Sequence, residues 1–210
     1  MPRPRSLTSH QLASAALAVI DRDGLTALSM RAVAQELGMS TMGLYRYVQD
    51  REDLERLVVE RVLSEVDTGL PDAGASWRDQ VVLMARRLRD TVGAHPEVVP
   101  LTVVHRHHSP AVLRWSETVL TILTGAGIDG ERRVVALRTL LGYLIGAIQL
   151  EHLGPLTGPG TTAITRLPAT DFPHMTETAR TARTMDADRE FLAGLRLLLN
   201  GLDGLDGPDA

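Results

Sequence analysis

The stretch LGMSTMGLYRYVQDRED, Leu37 to Asp53, contains the features that decide the fold. Ser40 can cap a short helix that runs to about Val48, because Asp50 begins the next helix as a new N-cap. On this short helix Leu44 and Val48 stand four residues apart and can face a core. The rest of its circumference carries Thr41, Met42, Gly43, Tyr45, Arg46 and Tyr47. We therefore expect a helix that presents most of its surface for contact.

Two helices are predicted before this one. The first begins at Thr8 or Ser9 and ends at Gly24. The second is capped by Ser29 and ends at Gly38. A longer helix followed by two short helices with a Gly-Met-Ser turn between them matches a helix-turn-helix unit, whose second helix lies in the major groove of DNA. The pattern therefore predicts DNA binding by this part of the chain.

Several kinds of DNA contact are expected from this surface. Arg46 is long enough to reach the O6 and N7 atoms of guanine. The hydroxyl groups of Ser40, Tyr45 and Tyr47 suit phosphate oxygens, which set the position of a protein on DNA without reading its sequence. Arg51 would meet a phosphate together with the free amides of its helix. Two plainer interpretations stay open, because Tyr45 could pack on the first helix and Arg46 could be a solvated surface charge.

The composition predicts a soluble, all-α protein. The 210 residues are 44% hydrophobic and 23% charged, which is enough for a substantial core. Helical apolar periods recur along the chain, and strictly alternating β-type runs are absent. The chain has no cysteine, which excludes disulfides and thiolate chemistry. A net charge of −4, with eight arginines and eight acidic residues in 1–61, argues against nucleic-acid binding over the whole surface and leaves room for a local site.

No membrane or secretory segment is expected. The start, MPRPRSLTSHQ, has two arginines but no apolar stretch behind them. The longest apolar run, Leu140 to Leu150, is shorter than the roughly 20 residues that cross a bilayer. We therefore expect a cytoplasmic protein.

The region after the helix-turn-helix unit is also predicted to be helical. A connector at 68–76, TGLPDAGAS, is rich in turn residues. Residues 154–173 are rich in Gly, Pro and Thr and are predicted to form a long mobile loop. Further helices are predicted at 51–68, 77–92, 110–124, 131–153 and 188–202.

The span from Leu7 to Val66 resembles the N-terminal domain of the TetR family of transcriptional repressors. The resemblance rests on Gly24, on LSMRAVAQELGMS, on LYRYV and on the basic residue three positions after it. It implies a recognition helix at 41–48. It implies contacts with bases from Arg31, Thr41, Gly43 and Arg46. It implies contacts with phosphates from Thr26, Ser29, Tyr45, Tyr47 and Arg51.

The remaining chain resembles the effector domain of tetracycline repressors. The resemblance rests on Trp77-Arg78, on Ala94 to Pro96, on the glycine-containing helix at Leu140 to Leu150 and on the final F-x-x-G-L-x-x-L-L-x-G-L. It implies a homodimer whose last two long helices pair with their copies, and the leucine stripe of the terminal helix has no obvious further element to bury it. The predicted interface residues are Leu141, Leu144, Ile148, Phe191, Leu195, Leu198, Leu199 and Leu202.

By analogy with this family, the chain is predicted to be a ligand-responsive regulator. It would bind a pseudo-palindromic operator as a homodimer and be released by a small-molecule effector. Candidate pocket residues are Met84, Leu88, His105, Trp115, Leu144 and Gln149. Met84, Leu88 and Trp115 could equally be core residues. The predicted division is a DNA-binding domain at 1–50, a connecting helix at 51–68, a ligand-binding and dimerisation domain at 69–205, and a disordered tail at 206–210.

Other classes of function fit the sequence less well. The histidines of His105-Arg106-His107-His108 could hold Zn²⁺ or Ni²⁺, but no acid lies beside them and the arginine repels a cation, so we predict no metal or other cofactor. Glu151 and His152 point about 100° apart on a helix, so they cannot grip one atom together and no enzyme is predicted. A helical adaptor without DNA binding and a transcriptional activator stay as alternatives.

Overall fold

The computed structural model describes residues 7–202, and every regular element within them is helical. The predicted all-α class is therefore confirmed. The helices are α1 (Ser9–Asp23), α2 (Met30–Glu36), α3 (Thr41–Leu44), α4 (Arg51–Leu63), α5 (Trp77–Gly93), α6 (Val99–His105), α7 (Pro110–Gly125), α8 (Gly130–Leu153), α9 (Pro159–Ile164), α10 (Pro173–Ala182) and α11 (Ala187–Gly201). Short 3₁₀ turns lie at Leu25–Ala27, Pro96–Val98 and Arg106–His108. The predicted tail at 206–210 lies outside the described residues.

The chain divides into two compact units. Of the described residues, 7–69 and 90–118 form the first unit, and 70–89 and 119–202 form the second. The first unit thus combines the predicted helix-turn-helix with α6 and the beginning of α7. The division into functional domains, with a boundary near residue 68, stays a prediction.

Side-chain caps fix where the N-terminal helices begin. The Thr8 hydroxyl accepts from the backbone N–H of Gln11, and the Gln11 side chain in turn accepts from the Thr8 N–H, which makes a reciprocal capping box. Ser29, Ser40 and Asp50 each accept a hydrogen bond from the backbone N–H three residues ahead. Such caps typically stabilise a helix by about 1 kcal/mol. All four predicted cap positions are confirmed.

Glycines end the first two helices. Gly24 follows α1 with φ 84°, and its N–H donates to the carbonyl of Ile20. Gly38 lies in the turn between α2 and α3 with φ 66°. These backbone angles are costly for residues that carry a Cβ. The chain can therefore reverse direction within a few residues and bring α3 against α2, which it contacts.

The core of the first unit is built around α1. This helix contacts both α2 and α4. Val19 and Ile20 of α1, Val33 of α2 and Leu54 and Val58 of α4 are all fully buried. Burying one such side chain completely contributes about 1.5–3 kcal/mol relative to leaving it in water. The helix α3 depends on its packing against α2, because four residues are too few to form a stable helix alone.

The helix after Ser40 is shorter than predicted. Regular α-helix covers only Thr41–Leu44, although helical turns continue beyond it. The N–H of Arg46 donates to the carbonyl of Gly43, and that of Tyr47 to Leu44, so these bonds span three residues instead of four. This tighter spacing is typical of the last turn of a short helix. The predicted extent to Val48 is therefore corrected to a four-residue helix with a tight final turn.

Two parts of the C-terminal region differ from the prediction. The predicted loop at 154–173 contains α9, and α10 begins at Pro173. Both helices start with proline in the first turn, where the missing N–H costs no hydrogen bond. The third unpredicted helix, α6, has Pro100 in the same position. A proline thus lies in the first turn of α6, α9 and α10, where it marks the start of a helix and not a loop.

The helix α8 is longer than the apolar run seen in the sequence. With 24 residues, it is long and apolar enough to cross a membrane by length and composition. This corrects the expectation that the apolar run is too short. One such helix is weak evidence, because a core helix of a soluble protein passes the same test. Leu140, Leu144 and Ile148 of α8 are buried, and α8 contacts α11 within the second unit.

Candidate nucleic-acid interface

The helix α3 separates buried from exposed residues as predicted. Leu44 is completely buried and Val48 nearly so. Met42, in contrast, is 78% exposed, and Tyr45 and Tyr47 are exposed as well. Large apolar and aromatic side chains left in water mark a contact surface when they cluster. The exposed side of α3 and its final turn has this character.

Gly43 has an intrachain reason to be glycine. A Cβ at this position would lie 3.0 Å from the Met39 methyl carbon and 3.3 Å from the Ser40 hydroxyl oxygen. It would also lie 3.9 Å from Nη2 of Arg46. Gly43 is buried, whereas the resemblance implies that it lies near bases. Its lack of a side chain is thus explained by crowding within the turn, and a role in DNA contact stays a prediction.

Two exposed arginines next to the turn have no acidic partner. Four of the six arginines in residues 7–61 pair with carboxylates: Arg22, Arg51, Arg56 and Arg61. Arg31 and Arg46 form no ion pair with any described residue. The Arg46 side chain makes only a long polar contact with a described residue, from Nε to the Gly43 carbonyl at 3.5 Å. The acidic residues of this region neutralise the other arginines, so Arg31 and Arg46 form a local positive surface although the overall charge of the region is balanced.

The hydroxyl groups predicted to contact DNA are accessible in the structure. Ser29 and Ser40 use one oxygen lone pair as helix caps, at 3.2 and 3.1 Å. A hydroxyl that accepts such a bond can still donate its proton to a phosphate. Thr26 is exposed and Thr41 is half-buried. The structure thus places all four hydroxyls at or near the surface.

Arg51 is held by the protein itself. Its Nε donates to Oε1 of Glu55 at 2.8 Å, and its Nη2 donates to the Leu25 carbonyl at 3.3 Å. The other oxygen of Glu55, Oε2, lies 3.1 Å from Nε2 of His105 on α6. Sequence reasoning missed Glu55, although its spacing of four residues from Arg51 is a recognised signal for a helix ion pair. The contact with His105 joins residues far apart in sequence, and no local pattern predicts it.

Further polar contacts join residues 95–109 to the helix-turn-helix region. His95 lies 3.0 Å from a carboxylate oxygen of Asp21, and Ser109 donates to Glu60. Glu97 accepts from the backbone N–H of Leu25 at 3.5 Å. Polar contacts thus reach α1, the turn after it and α4. A shift of residues 95–109 would therefore change contacts with α1, with the turn after it and with α4, the elements around α3.

The candidate pocket residues do not belong to one unit. His105 and Trp115 lie in the first unit, and both are buried. Four lie in the second unit, where all but the half-buried Gln149 are buried: Met84, Leu88, Leu144 and Gln149. Met84 and Leu144 are fully enclosed, as the alternative core interpretation of Met84 requires. Their role in ligand binding stays a prediction.

A groove of about 240 Å³ lies between α8 and α11 in the second unit. Its lining combines small, apolar and aromatic residues with one glutamate from each helix: Gly142, Tyr143, Gly146, Ala147, Leu150, Glu151, Ala187, Glu190 and Phe191. The Tyr143 hydroxyl donates to the Phe191 carbonyl at 2.6 Å and closes one wall. Of the predicted site residues, only Phe191 lines this groove.

The leucine stripe of α11 is covered by the chain itself. Six of the eight predicted interface residues are buried within the second unit: Leu144, Ile148, Phe191, Leu195, Leu199 and Leu202. Leu141 and Leu198 are half-buried. This corrects the argument that no other element buries the stripe, because α11 packs on α8. Exposed apolar side chains lie elsewhere on these two helices, at Val134, Leu150 and Leu197 among others.

The buried Arg89 of α5 binds carboxylates of α8 and α11 within the second unit. Both oxygens of Glu151 accept from Arg89, at 2.9 and 3.0 Å, and Asp188 accepts from its Nη1. The guanidinium carbon lies 4.6 Å from the centre of the Phe191 ring. Burial alone would lower the pKa of Arg89, but the hydrogen bonds to the two carboxylates raise it above its usual value. Arg89 therefore stays charged and joins α5, α8 and α11.

The histidine-rich segment at 105–108 brings one of its histidines to a carboxylate. His105, its first member, points its Nε2 at Glu55. Within the described part of the chain, no group of three or more His, Asp or Glu side chains is placed to hold a metal ion. The structure thus offers one histidine and one carboxylate in contact, which is too small a ligand set for a typical zinc site.

Both parts of the chain match known families. Residues 12–56 match the family described as bacterial regulatory proteins, tetR family. Residues 70–205 match the family described as tetracyclin repressor-like, C-terminal domain. The second match alone covers more than half of the 210 residues.

Several individual proteins are similar over long stretches. The repressor DrrR1 of Streptomyces coeruleorubidus is 36% identical over 148 residues, which are 70% of this chain and about half, 54%, of that protein. The class D tetracycline repressor of Escherichia coli is 27% identical over 94% of this chain and 89% of its own length. The structure of Streptomyces coelicolor ActR in complex with actinorhodin superposes with a TM-score of 0.81, at 29% identity, over 99% of this chain and 100% of ActR.

Proposed function

The chain belongs to the tetR family of bacterial regulatory proteins, and on that premise we propose that it is a repressor that binds a pseudo-palindromic operator as a homodimer and is released by a small-molecule effector. Proteins of this family are transcriptional regulators and not enzymes. The observation that carries the proposal is the exposed Arg46, which has no acidic partner among the described residues. An arginine in this state can pair with guanine without first giving up a salt bridge.

Operator binding by a homodimer is supported by geometry. One helix of four residues reads few bases, whereas two copies related by a two-fold axis can read both halves of a palindrome. Exposed apolar side chains on α8 and α11, such as Leu150 and Leu197, supply surface that a second copy would cover. The proposed partners are therefore double-stranded DNA and a second copy of this chain, in the cytoplasm and with no membrane.

Release by an effector is supported by the relatives. ActR has been solved with actinorhodin bound, and the tetracycline repressors are named for a drug. An effector that lowers operator affinity must bind the DNA-free conformation more tightly, with a coupling of about 1–3 kcal/mol. We propose that a small molecule releases this chain from DNA too.

A selection of bound duplexes from a random pool tests the proposal. The purified protein and its Arg46→Ala variant are each incubated with the pool at moderate salt, and the recovered duplexes are sequenced. We expect a pseudo-palindrome with the parent and its loss with the variant. A folded, dimeric parent that enriches no motif would contradict the proposal and favour a helical adaptor.

A reporter experiment separates repressor from activator. The selected operator is placed upstream of a reporter gene in a bacterial host, and the protein is supplied from a second plasmid. A repressor lowers expression and an activator raises it. Restored expression on addition of compounds from a small-molecule collection identifies the effector.

A further inference from the structure

Glu55 uses both oxygens of its carboxylate for different partners. Oε1 accepts from Nε of Arg51 at 2.8 Å, and Oε2 lies 3.1 Å from Nε2 of His105. An ionised carboxylate can only accept hydrogen bonds, so this contact is a hydrogen bond in the tautomer of His105 that carries its proton on Nε2. A single negative charge is thus shared between an arginine of α4 and a histidine of α6.

Arg51 has a second tie to the same part of the chain. Its Nη2 donates to the carbonyl of Leu25, and the N–H of Leu25 donates to Glu97 at 3.5 Å. Glu97 lies in the turn just before α6. Arg51 is therefore linked to residues 95–109 twice, through Glu55 to His105 and through Leu25 to Glu97.

Solvent exposure rises along this series of contacts. The side chain of His105 is 5% exposed, that of Glu55 17% and that of Arg51 47%. The attraction between His105 and Glu55 is little screened by water, whereas Arg51 has open surface into which it can turn. His105 can thus influence Arg51 through Glu55 without itself contacting DNA.

We propose that Glu55 is a positioning residue that governs whether Arg51 is available to a DNA phosphate, and that His105 sets how tightly Glu55 holds Arg51. When His105 donates to Glu55, part of the carboxylate charge is engaged and Arg51 leaves it more easily. When the His105 donor is removed, or captured by an acceptor group of a ligand, Glu55 holds Arg51 more tightly and DNA binding weakens. The inference rests on the proposed function, since it requires Arg51 to meet DNA.

Binding titrations on the full chain test the inference. Dissociation constants are measured by fluorescence anisotropy with a labelled duplex of unselected sequence and with the selected operator, each over a series of salt concentrations. The proteins are the parent, His105→Leu and His105→Gln, each with Arg51 present and with Arg51→Gln. Glutamine keeps a donor near the position of Nε2, whereas leucine removes it.

We expect His105→Leu to weaken binding to both duplexes by up to about fivefold, the scale of a partly exposed ion pair. His105→Gln should restore binding, and neither change should matter once Arg51 is glutamine. Arg51→Gln alone should lower the slope of log affinity against log salt by about 0.9, the loss of one phosphate contact. Ser109→Ala is the matched control, because it breaks the other contact with α4, to Glu60, and does not touch Arg51.

A second substitution keeps the inference falsifiable if His105→Leu unfolds. Glu55→Gln should strengthen binding in both backgrounds, because it removes a negative charge, and it should do so more strongly with Arg51 present. Equal effects of Glu55→Gln and of the His105 variants in the two backgrounds would overturn the inference. A parent that binds neither duplex would overturn the proposed function as well, whereas a parent that binds normally without this coupling overturns only the inference.

Discussion

Arg86 and Arg89 both donate to Asp188, although 42% of the Arg86 side chain is exposed and only 8% of the Arg89 side chain. Arg89 also binds both oxygens of Glu151 and packs over the Phe191 ring. Its aliphatic stem and its hydrogen bonds are therefore lost together when it is truncated. The two arginines provide a matched pair for measuring what burial adds to an ion pair.

We expect Arg89→Ala to lower the free energy of unfolding by about 2 kcal/mol, because it removes shielded hydrogen bonds to charged groups and leaves a gap beside Phe191. Arg86→Ala should cost at most about 1 kcal/mol, since its pair is screened by water. Urea unfolding followed by circular dichroism measures both values. Equal losses would mean that Arg89 contributes no more than a surface pair.

Gly194 lies directly against the ring of Tyr143. A Cβ on Gly194 would come within 2.6 Å of the tyrosine hydroxyl oxygen and 3.0 Å of a ring carbon. Alanine usually stabilises a helix interior relative to glycine, by about 1 kcal/mol. Here the overlap should dominate, and Gly194→Ala should destabilise the protein by about 1–3 kcal/mol.

A second variant and a control make this prediction specific. Tyr143→Phe combined with Gly194→Ala should recover part of the loss, because it removes the closest atom but keeps the ring. Gly125→Ala, at the end of α7, meets nothing within 4 Å and should not destabilise the protein. Thermal unfolding midpoints of the three variants compare them directly. A stabilised Gly194→Ala protein would show that the ring moves aside at no cost.

The sequence predicted those features that depend on neighbours along the chain. The caps at Ser29, Ser40 and Asp50 satisfy amides only three residues away, so a local pattern is enough to find them. The burial of Leu195 depends on α8, and the contact of Glu55 with His105 spans 50 residues. Such pairs follow from how helices pack, which neither periodicity nor composition specifies. The composition of residues 154–173 wrongly predicted a loop where α9 and the start of α10 lie, because Gly, Pro and Thr occur both in loops and at helix starts.

Arg46 and Arg51 of the proposed interface should behave differently on DNA. Arg46→Ala should weaken operator binding by about 1–3 kcal/mol and binding to unselected duplexes much less, because a base contact is lost. Arg51→Ala should weaken both kinds of binding, because a phosphate contact is independent of sequence. Arg56 pairs with Glu52 and Asp53, so Arg56→Ala should change neither by much.

Competition binding assays with selected and unselected duplexes measure these differences. The hydrogen bond from the Gln49 backbone, together with that from Arg56, holds the pKa of Asp53 below its usual value, so the pair of Asp53 with Arg56 persists to a lower pH than an ordinary aspartate would allow. If Arg46→Ala lowered affinity for every duplex equally, Arg46 would be a phosphate contact and not a base contact.

The last prediction concerns the surface between two copies of the chain. Leu195 and Leu197 are two residues apart on α11, but Leu195 is completely buried and Leu197 is 75% exposed. Residues with this spacing point to nearly opposite sides of a helix. A charge at position 195 would therefore disrupt the fold of the chain itself, whereas a charge at 197 would face whatever covers α11. Leu197→Glu and Leu150→Glu should consequently yield folded monomers.

Sedimentation velocity and circular dichroism together decide this point. We expect both variants to keep the helical signal of the parent, to sediment as monomers and to lose operator affinity, because one copy contacts only half of a palindrome. Leu70→Glu, an exposed leucine in the connector before α5, should leave the dimer intact. Leu195→Asp should instead lose helical signal, since it places a charge in a closed apolar core. A dimer that persists in both Leu150→Glu and Leu197→Glu would place the interface on another surface of the protein.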